Sequence, residues 1–219
     1  MSAPGGLTRR RFGAHALATA SLGVLASCGR EKTATRPVPA GATVLALGDS
    51  LTYGTGASPQ TSYPAVLAGL TGWNVINAGV PGDTSAHALA RMPALLTDHK
   101  PQLVILSVGG NDFLRRLPEG DTRANVHAAC RQALDAGAQV LLVAVPRATV
   151  AAALGQMTDH TLYADIARDL KIPLQREGWA EVLAQPELRS DQIHANAKGY
   201  AQFARSVQGT AVAAGLLSR

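Results

Sequence analysis

The sequence predicts an α/β chain built as a three-layer α/β/α sandwich around a parallel sheet of about five strands. Three observations point there. Short, nearly all-apolar runs alternate with longer amphipathic ones, the pattern of strands buried on both faces by helices. At 219 residues and 47% hydrophobic content, the chain is long and apolar enough for one substantial core. Polar clusters directly follow three consecutive apolar runs, and in open parallel sheets ligands bind outside the carboxyl ends of the strands.

The elements follow in order. Residues 1–27 have the anatomy of a signal peptide: Arg9, Arg10 and Arg11, then Phe12, then an Ala- and Gly-rich apolar run from Gly13 to Ser27 that is too short for a stable membrane span. The pair Arg9-Arg10 followed by Phe12 resembles a twin-arginine export signal. Leu25-Ala26-Ser27-Cys28 looks like a lipobox, at which Cys28 becomes the acylated N-terminus. The alternatives are an ordinary secretory signal with a coincidental cysteine, or an amphipathic start on a cytosolic protein. Residues 28–42, with Pro37 and Pro39, read as a tether, and residues 43–219 as the folded domain.

Within that domain the expected strands are Thr43 to Leu47, Asn74 to Asn77, Leu103 to Val108, Gln139 to Val145 and a weaker one at Ile172 to Gln175. The expected helices are Ser62 to Leu70, Ser85 to Thr97, Thr122 to Ala136, Asp159 to Leu170 and Asn196 to Ala214. Three loops then converge on one sheet edge: Gly48-Asp49-Ser50, Ala78-Gly79-Val80-Pro81-Gly82-Asp83 and Gly109-Gly110-Asn111-Asp112.

Charge and cysteine content exclude several classes. The formal charge is +5, but removing the three arginines of residues 1–27 from the 20 basic residues leaves 17 against 15 acidic ones. That balance, with no aromatic interleaving of scattered basic residues, argues against a nucleic-acid partner. The histidines are dispersed without His-x-x-x-His or Cys-x-x-Cys spacing, so neither a metal nor any other cofactor is implied. The Gly48-Asp49-Ser50 loop lacks the lysine and glycines of a phosphate cradle. There are two cysteines; with Cys28 acylated, Cys130 has no partner, and its helical spacing with Val126 and Leu134 suits a buried thiol.

Ser50 ends the first strand, where a serine alone would cap a helix as readily as attack a carbonyl. The base candidate is His194. Asp191 stands three residues before it, placed to accept from one imidazole nitrogen while the other faces Ser50. His15 lies in the signal segment, and His87, His99, His127 and His160 fall on or beside amphipathic helices, where a surface role fits. Acyl transfer also needs donors for an oxyanion, and the Ser50 N–H, the Gly79 N–H and the Asn111 amide are the candidates. As ordinary structure, Gly79 is a turn glycine and Asn111 a helix cap or Asx-turn.

Gly48-Asp49-Ser50-Leu51-Thr52 resembles the GDSL motif. Together with Gly79, Gly109-x-Asn111-Asp112 and Asp191-x-x-His194, the chain is similar to the SGNH hydrolases, in particular the compact bacterial arylesterases and acyl-CoA thioesterase/lysophospholipases. The resemblance implies a flavodoxin-like sheet, metal-independent hydrolysis of an ester or thioester through an acyl-Ser50 intermediate, and an oxyanion hole from Ser50, Gly79 and Asn111. It makes Asp49 and Asp112 structural. The family often has proline after the histidine, where this chain has Ala195; Asn196 is expected to hold that loop as a helix cap. The expected partner is a small ester or acyl substrate, with a membrane surface engaged only through Cys28 and the oligomeric state left open. The acyl pocket is expected around Phe113, Leu114, Arg115, Pro146 and Arg147. Two other readings stay open: an O-acetylesterase acting on envelope carbohydrate or peptidoglycan, and an envelope lipoprotein that binds without turnover.

Overall fold

Successive residues of the first strand point to opposite faces of a sheet that is covered on both sides, as the unbroken apolar run requires. Val44 and Ala46 enter one core with Tyr63, Trp179 and Phe203; Leu45 and Leu47 enter another with Met92, Cys130 and Tyr163. The computed structural model describes residues 35–147 and 157–218, all within one unit of the chain, Lys32–Arg219. The signal segment, Cys28 and residues 148–156 lie outside the described residues.

The strands are β1 (Thr43–Gly48), β2 (Asn74–Gly79), β3 (Leu103–Ser107), β4 (Gln139–Val143) and β5 (Leu174–Gln175). All pair in parallel, in the order β2-β1-β3-β4-β5. The chain therefore goes outward from β1 to β2 and then returns across it to β3. That reversal opens a crevice beyond the carboxyl ends of β1 and β3, the switch point of flavodoxin-like sheets.

The described helices are α1 (Ser50–Tyr53), α2 (Tyr63–Thr71), α3 (Ser85–His99), α4 (Gly110–Leu114), α5 (Glu119–Asp135), α6 (Thr161–Leu170), α7 (Gly178–Ala184) and α8 (Ala197–Ala213). Helices α2, α7 and α8 pack on one face of the sheet, and α3, α5 and α6 on the other. Three elements are absent from the sequence reading: α1, α4 and α7 are four to seven residues long. So few residues do not establish a helical period.

Although aromatics make up only 4% of the chain, they concentrate in the first core. Trp179 stacks on Phe203 with centroids 3.5 Å apart, and Tyr63 meets both rings edge-on at 5.8 and 5.0 Å. The polar ends of this cluster reach the strand-end loops. Trp179 Nε1 donates to Ser107 Oγ at 3.0 Å, and Tyr200 OH donates to Thr55 O at 2.7 Å, just beyond α1.

The expected tether is in part a packed strap. From Thr35 the chain lies on the domain: the Arg36 N–H donates to Gln139 Oε1, Gln139 Nε2 returns a bond to Arg36 O, and the Val38 N–H donates to Leu216 O. Val38 is 2% exposed, and its carbonyl accepts from the Trp73 indole at 3.0 Å. The prolines suggest a free extended segment, but the apolar Val38 between them has a buried site waiting for it.

Cys130 is fully buried, as its helical spacing suggests, and desolvation pushes its thiol up to about 12, keeping it protonated. Among the described residues no helix is long and apolar enough to cross a membrane. Replacing Trp179 by Ala should cost about 3–5 kcal/mol, because the stack leaves a large void when the ring is removed. In a chain of this size that corresponds to a fall of roughly 10 °C in Tm or more, readable by thermal denaturation.

Candidate active site

Ser50 opens α1 just after β1, so its hydroxyl stands at the carboxyl end of that strand, between β2 and β3 in the sheet order. The turn is tight because its glycines permit it. A Cβ on Gly48 would lie 2.2 Å from Thr52 Oγ1 and 2.3 Å from Ser107 O. Asp49 caps the short helix, its Oδ1 accepting from the Leu51 N–H at 3.0 Å. This carboxylate is 3% exposed, and burial pushes it up to about 6, opposed by the Leu51 N–H bond and the nearby His194 and reinforced by Asp83 and Asp112.

His194 arrives on the loop before α8. Its Nε2 lies 3.0 Å from Ser50 Oγ, and its Nδ1 lies 2.7 Å from Asp191 Oδ2. The other Asp191 oxygen accepts from the N–H groups of Ile193 and His194, each at 2.8 Å. Slight burial raises the Asp191 carboxyl, but the bonds from the imidazole and these two N–H groups outweigh it and hold the group below its ordinary value. The carboxylate thus stays ionised, held by two backbone N–H groups and fixing the ring through Nδ1. Ala195, which follows the histidine, is fully buried. Asn196 ties the loop down as a helix cap: its Oδ1 accepts from Lys198 and Gly199 N–H, and its Nδ2 donates to Glu187 O and Arg189 O.

Asn111 lies in the first turn of α4, after β3. Its Nδ2 donates to the carbonyl of Asp83 at 2.9 Å, which leaves the second amide hydrogen free of that bond. Gly79 is placed differently from the expectation. Its N–H donates to Asn77 Oδ1 at 3.0 Å, and a Cβ there would lie 2.1 Å from the Tyr53 nitrogen. Its bare Cα lets α1 pack against the end of β2. Gly82, three residues on, has φ +84° and a carbonyl bonded to Arg115 Nη2 at 2.9 Å; among the described residues its N–H has no backbone partner, and neither has that of Ser50. The sequence shows two loop glycines and gives no reason to prefer the second.

Asp112 is structural: its carboxylate accepts from the Ser85 N–H and hydroxyl at 2.8 and 2.5 Å and from Thr122 Oγ1, anchoring α4 on the start of α3. His160 departs from the surface role expected of it. It is 6% exposed, caps α6 by accepting from the Leu162 N–H, and stacks on Phe113 at 4.5 Å. Desolvation lowers its pKa against the pull of Glu119. Of the expected pocket residues, Phe113 is half-buried, Leu114 and Arg115 are exposed, and Pro146 and Arg147 stand where the described chain stops before residue 148. Among the described residues no three His, Cys, Asp or Glu side chains are grouped to hold a metal ion.

Residues 46–202 match the GDSL-like Lipase/Acylhydrolase family, spanning the Ser50, Asn111 and His194 loops. The chain belongs to this family. As a GDSL-like acylhydrolase it is a hydrolase acting on ester bonds. It is 33% identical over 162 residues to thioesterase 1/protease 1/lysophospholipase L1 of Escherichia coli K12, a match covering 70% of this chain and 76% of that protein. It is 29% identical over 160 residues to an arylesterase of Vibrio mimicus, covering 69% and 78%. The fold superposes on the crystal structure of TesA with a TM-score of 0.70 at 28% identity, covering 78% of this chain and 99% of that one.

The Asp49 carboxyl yields a pH prediction. Its folded pKa of about 6 lies above the ordinary 3.8, so the native state binds the proton more tightly than the unfolded chain. Its contribution is therefore a cost that is absent below pH ~4, grows between ~4 and ~6 and is complete above, reaching about 3 kcal/mol. Asp49→Asn keeps an acceptor for the Leu51 N–H and carries no charge. Denaturant titrations should show the variant gaining on wild type as pH rises from 4 to 8, by up to that amount, with no gain at pH 4.

Proposed function

We propose that this acylhydrolase cleaves carboxylic esters or thioesters through an acyl-Ser50 intermediate, with His194 as general base and Asp191 as the carboxylate that orients it. The observation carrying this reading is the unbroken chain from Asp191 through His194 to Ser50 Oγ, with contacts of 2.7 and 3.0 Å, at the sheet's switch point. Each contact falls within hydrogen-bond reach for nucleophile activation.

His194 Nε2 takes the proton as Ser50 Oγ bonds to the carbonyl carbon, and the carbonyl π pair moves to oxygen. The tetrahedral oxyanion is met by the Ser50 N–H and the free amide hydrogen of Asn111. The third donor in this reading is the Gly82 N–H, in place of Gly79, whose N–H is held by Asn77. Collapse expels the leaving oxygen or sulfur, which receives the proton from His194. Water then enters by the reverse sequence, with His194 again as base, and frees the acid. Asp191 stabilises the imidazolium in both halves. A thioester leaving group is supported by the similarity to the Escherichia coli protein named thioesterase 1, and the Vibrio mimicus arylesterase supports an oxygen ester.

The export reading belongs to the same proposal: residues 1–27 direct the chain across a membrane, and an acylated Cys28 holds it to a membrane surface. Its support is the order of arginine pair, apolar run and lipobox-like Leu25 to Cys28.

Two experiments test these readings. A fluorophosphonate probe should label the wild type. Ser50→Ala should abolish both labelling and hydrolysis of p-nitrophenyl butyrate, and His194→Ala should lower kcat by about 10³-fold or more, because serine and base act as a unit. An unlabelled, inactive wild type would favour a binding protein, and near-normal turnover of His194→Ala would remove it as the base. Separately, metabolic labelling with a palmitate analogue in a bacterial host should tag the full chain and not Cys28→Ala; equal tagging of both would remove the lipidation site.

A further inference from the structure

Arg91 lies on α3, where a charged residue at helical spacing would ordinarily face solvent. Here it turns back over the sheet edge. Nε and Nη2 both reach Asp83 Oδ2, at 3.0 and 2.7 Å, and Nη2 also meets Ala78 O at 3.0 Å and Gly48 O at 3.4 Å. The guanidinium thus joins the ends of β1 and β2 to the turn that follows β2. The Asp83 side chain is 10% exposed and that of Arg91 30%, so the pair is largely shielded from water.

The strands need no such help with register. Gly48 already pairs with Gly79 in the ladder, and the Val80 N–H already donates to Gly48 O at 3.1 Å. What the guanidinium adds is the position of Asp83 itself. Asp83 presents its carboxylate to Arg91 and its carbonyl to Asn111 Nδ2, at 2.9 Å, while its N–H closes the turn on Val80 O at 3.1 Å. Fixing that carbonyl commits one hydrogen of the Asn111 amide and so sets the direction of the other. The same anchoring fixes the peptide between Gly82 and Asp83, next to the proposed Gly82 donor.

We infer that Arg91 is a positioning residue for ester hydrolysis: through Asp83 it holds the Asn111 amide and the Gly82 turn in the orientation that receives the oxyanion. The inference rests on the assignment of Asn111 as an oxyanion donor. Arg91 touches no reacting atom; its effect passes through one carboxylate and one carbonyl. A lysine keeps the charge but is a point donor, without the planar fork that engages a carboxylate and strand-end carbonyls together. Removing the guanidinium frees the turn while leaving Ser50, His194 and Asp191 in place.

The test is a double-mutant cycle between Arg91→Met and Asn111→Ala, read as kcat and KM for p-nitrophenyl butyrate. Arg91→Met alone should lower kcat about 10- to 100-fold, with KM changed less than about 3-fold, since the lost contact acts in the transition state. In the Asn111→Ala background the same substitution should cost less than about 3-fold, because the group through which it acts is gone. Arg91→Lys should fall between wild type and Arg91→Met. Arg131→Met, which removes an exposed helix ion pair with Asp135, should match wild type and controls for loss of a surface arginine.

If Asn111→Ala alone leaves kcat unchanged, the donor assignment fails and the positioning role fails with it. If Asn111→Ala is impaired but Arg91→Met repeats its full loss in that background, only the positioning role is overturned. A wild-type kcat in Arg91→Met overturns it as well. Should Arg91→Met not fold, the cycle is run with Asp83→Asn and Arg91→Lys, with the same non-additivity expected and full additivity again overturning the proposal.

Discussion

Everything at the site depends on how closely α1 can approach the ends of the strands. The helix is a single turn, four residues long, and it is wedged against β1 and β2. Any side chain at Gly48 would strike Thr52 and the Ser107 carbonyl, and any at Gly79 would strike the backbone at Thr52 and Tyr53. Two missing β-carbons therefore set the height of Ser50 above the sheet, and His194, from the far end of the chain, is placed to meet it there. The aromatic cluster supports the wedge from behind. Tyr63 OH lies 3.4 Å from Thr52 Oγ1 and Tyr200 OH bonds Thr55 O, so packing of α2 and α8 is transmitted to the serine turn. A well-packed interior of this kind transmits displacement instead of absorbing it.

Three carboxylates follow the first three strands, and each is neutralised or tolerated by a different device. Asp83 is paired with a guanidinium. Asp112 accepts from the Ser85 N–H at the start of α3, where exposed backbone donors favour negative charge. Asp49 has one backbone donor and no cation of its own, and its pKa rises with desolvation and with the two neighbouring charges. The cost falls on Asp49. With net stabilities of about 5–15 kcal/mol, a local cost of about 3 is affordable in a domain with two continuous cores.

The sequence made the strands and the sites legible for one reason: buried parallel strands read as apolar runs, so a Gly, Asp, Ser or Asn that ends a run is conspicuous. Ser50 and Asn111 stand out that way, whereas Asp191 and His194 follow no strand and stand out by their three-residue spacing. The sheet order was not legible from pattern, since local periodicity carries no pairing information; it came only with the family resemblance. Short helices such as α1 and α4 fell below the length at which a period exists. Arg91 was invisible because an arginine on an amphipathic helix looks solvated, and only its partners show otherwise. Gly79 and Gly82 are chemically identical in sequence; the bond from Gly79 to Asn77 separates them. His160 looked like a surface residue for the same reason as Arg91, and its burial depends on Phe113, 47 positions away in sequence, which stacks on it.

The strap formed by residues 35–42 bears on how substrate reaches Ser50. Its contacts, Arg36 with Gln139, Ala42 with Asn74 and Gly41 with Gly72, are all at the residues where strands β4 and β2 begin. Ser50 stands where β1 ends. A strand of six residues rises about 20 Å, so the strap meets the domain at one edge of the sheet and Ser50 stands at the other. The pinned strap is thereby kept out of the crevice, and its buried Val38 makes release costly, roughly 1.5–3 kcal/mol for that side chain alone. The loops that follow β2 and β3, at that second edge, carry Gly82, Asn111 and the half-buried Phe113. Under the proposed mechanism the two loops that carry the oxyanion donors also place Phe113 beside Asn111, so a substitution made there to change substrate preference is expected to change turnover as well.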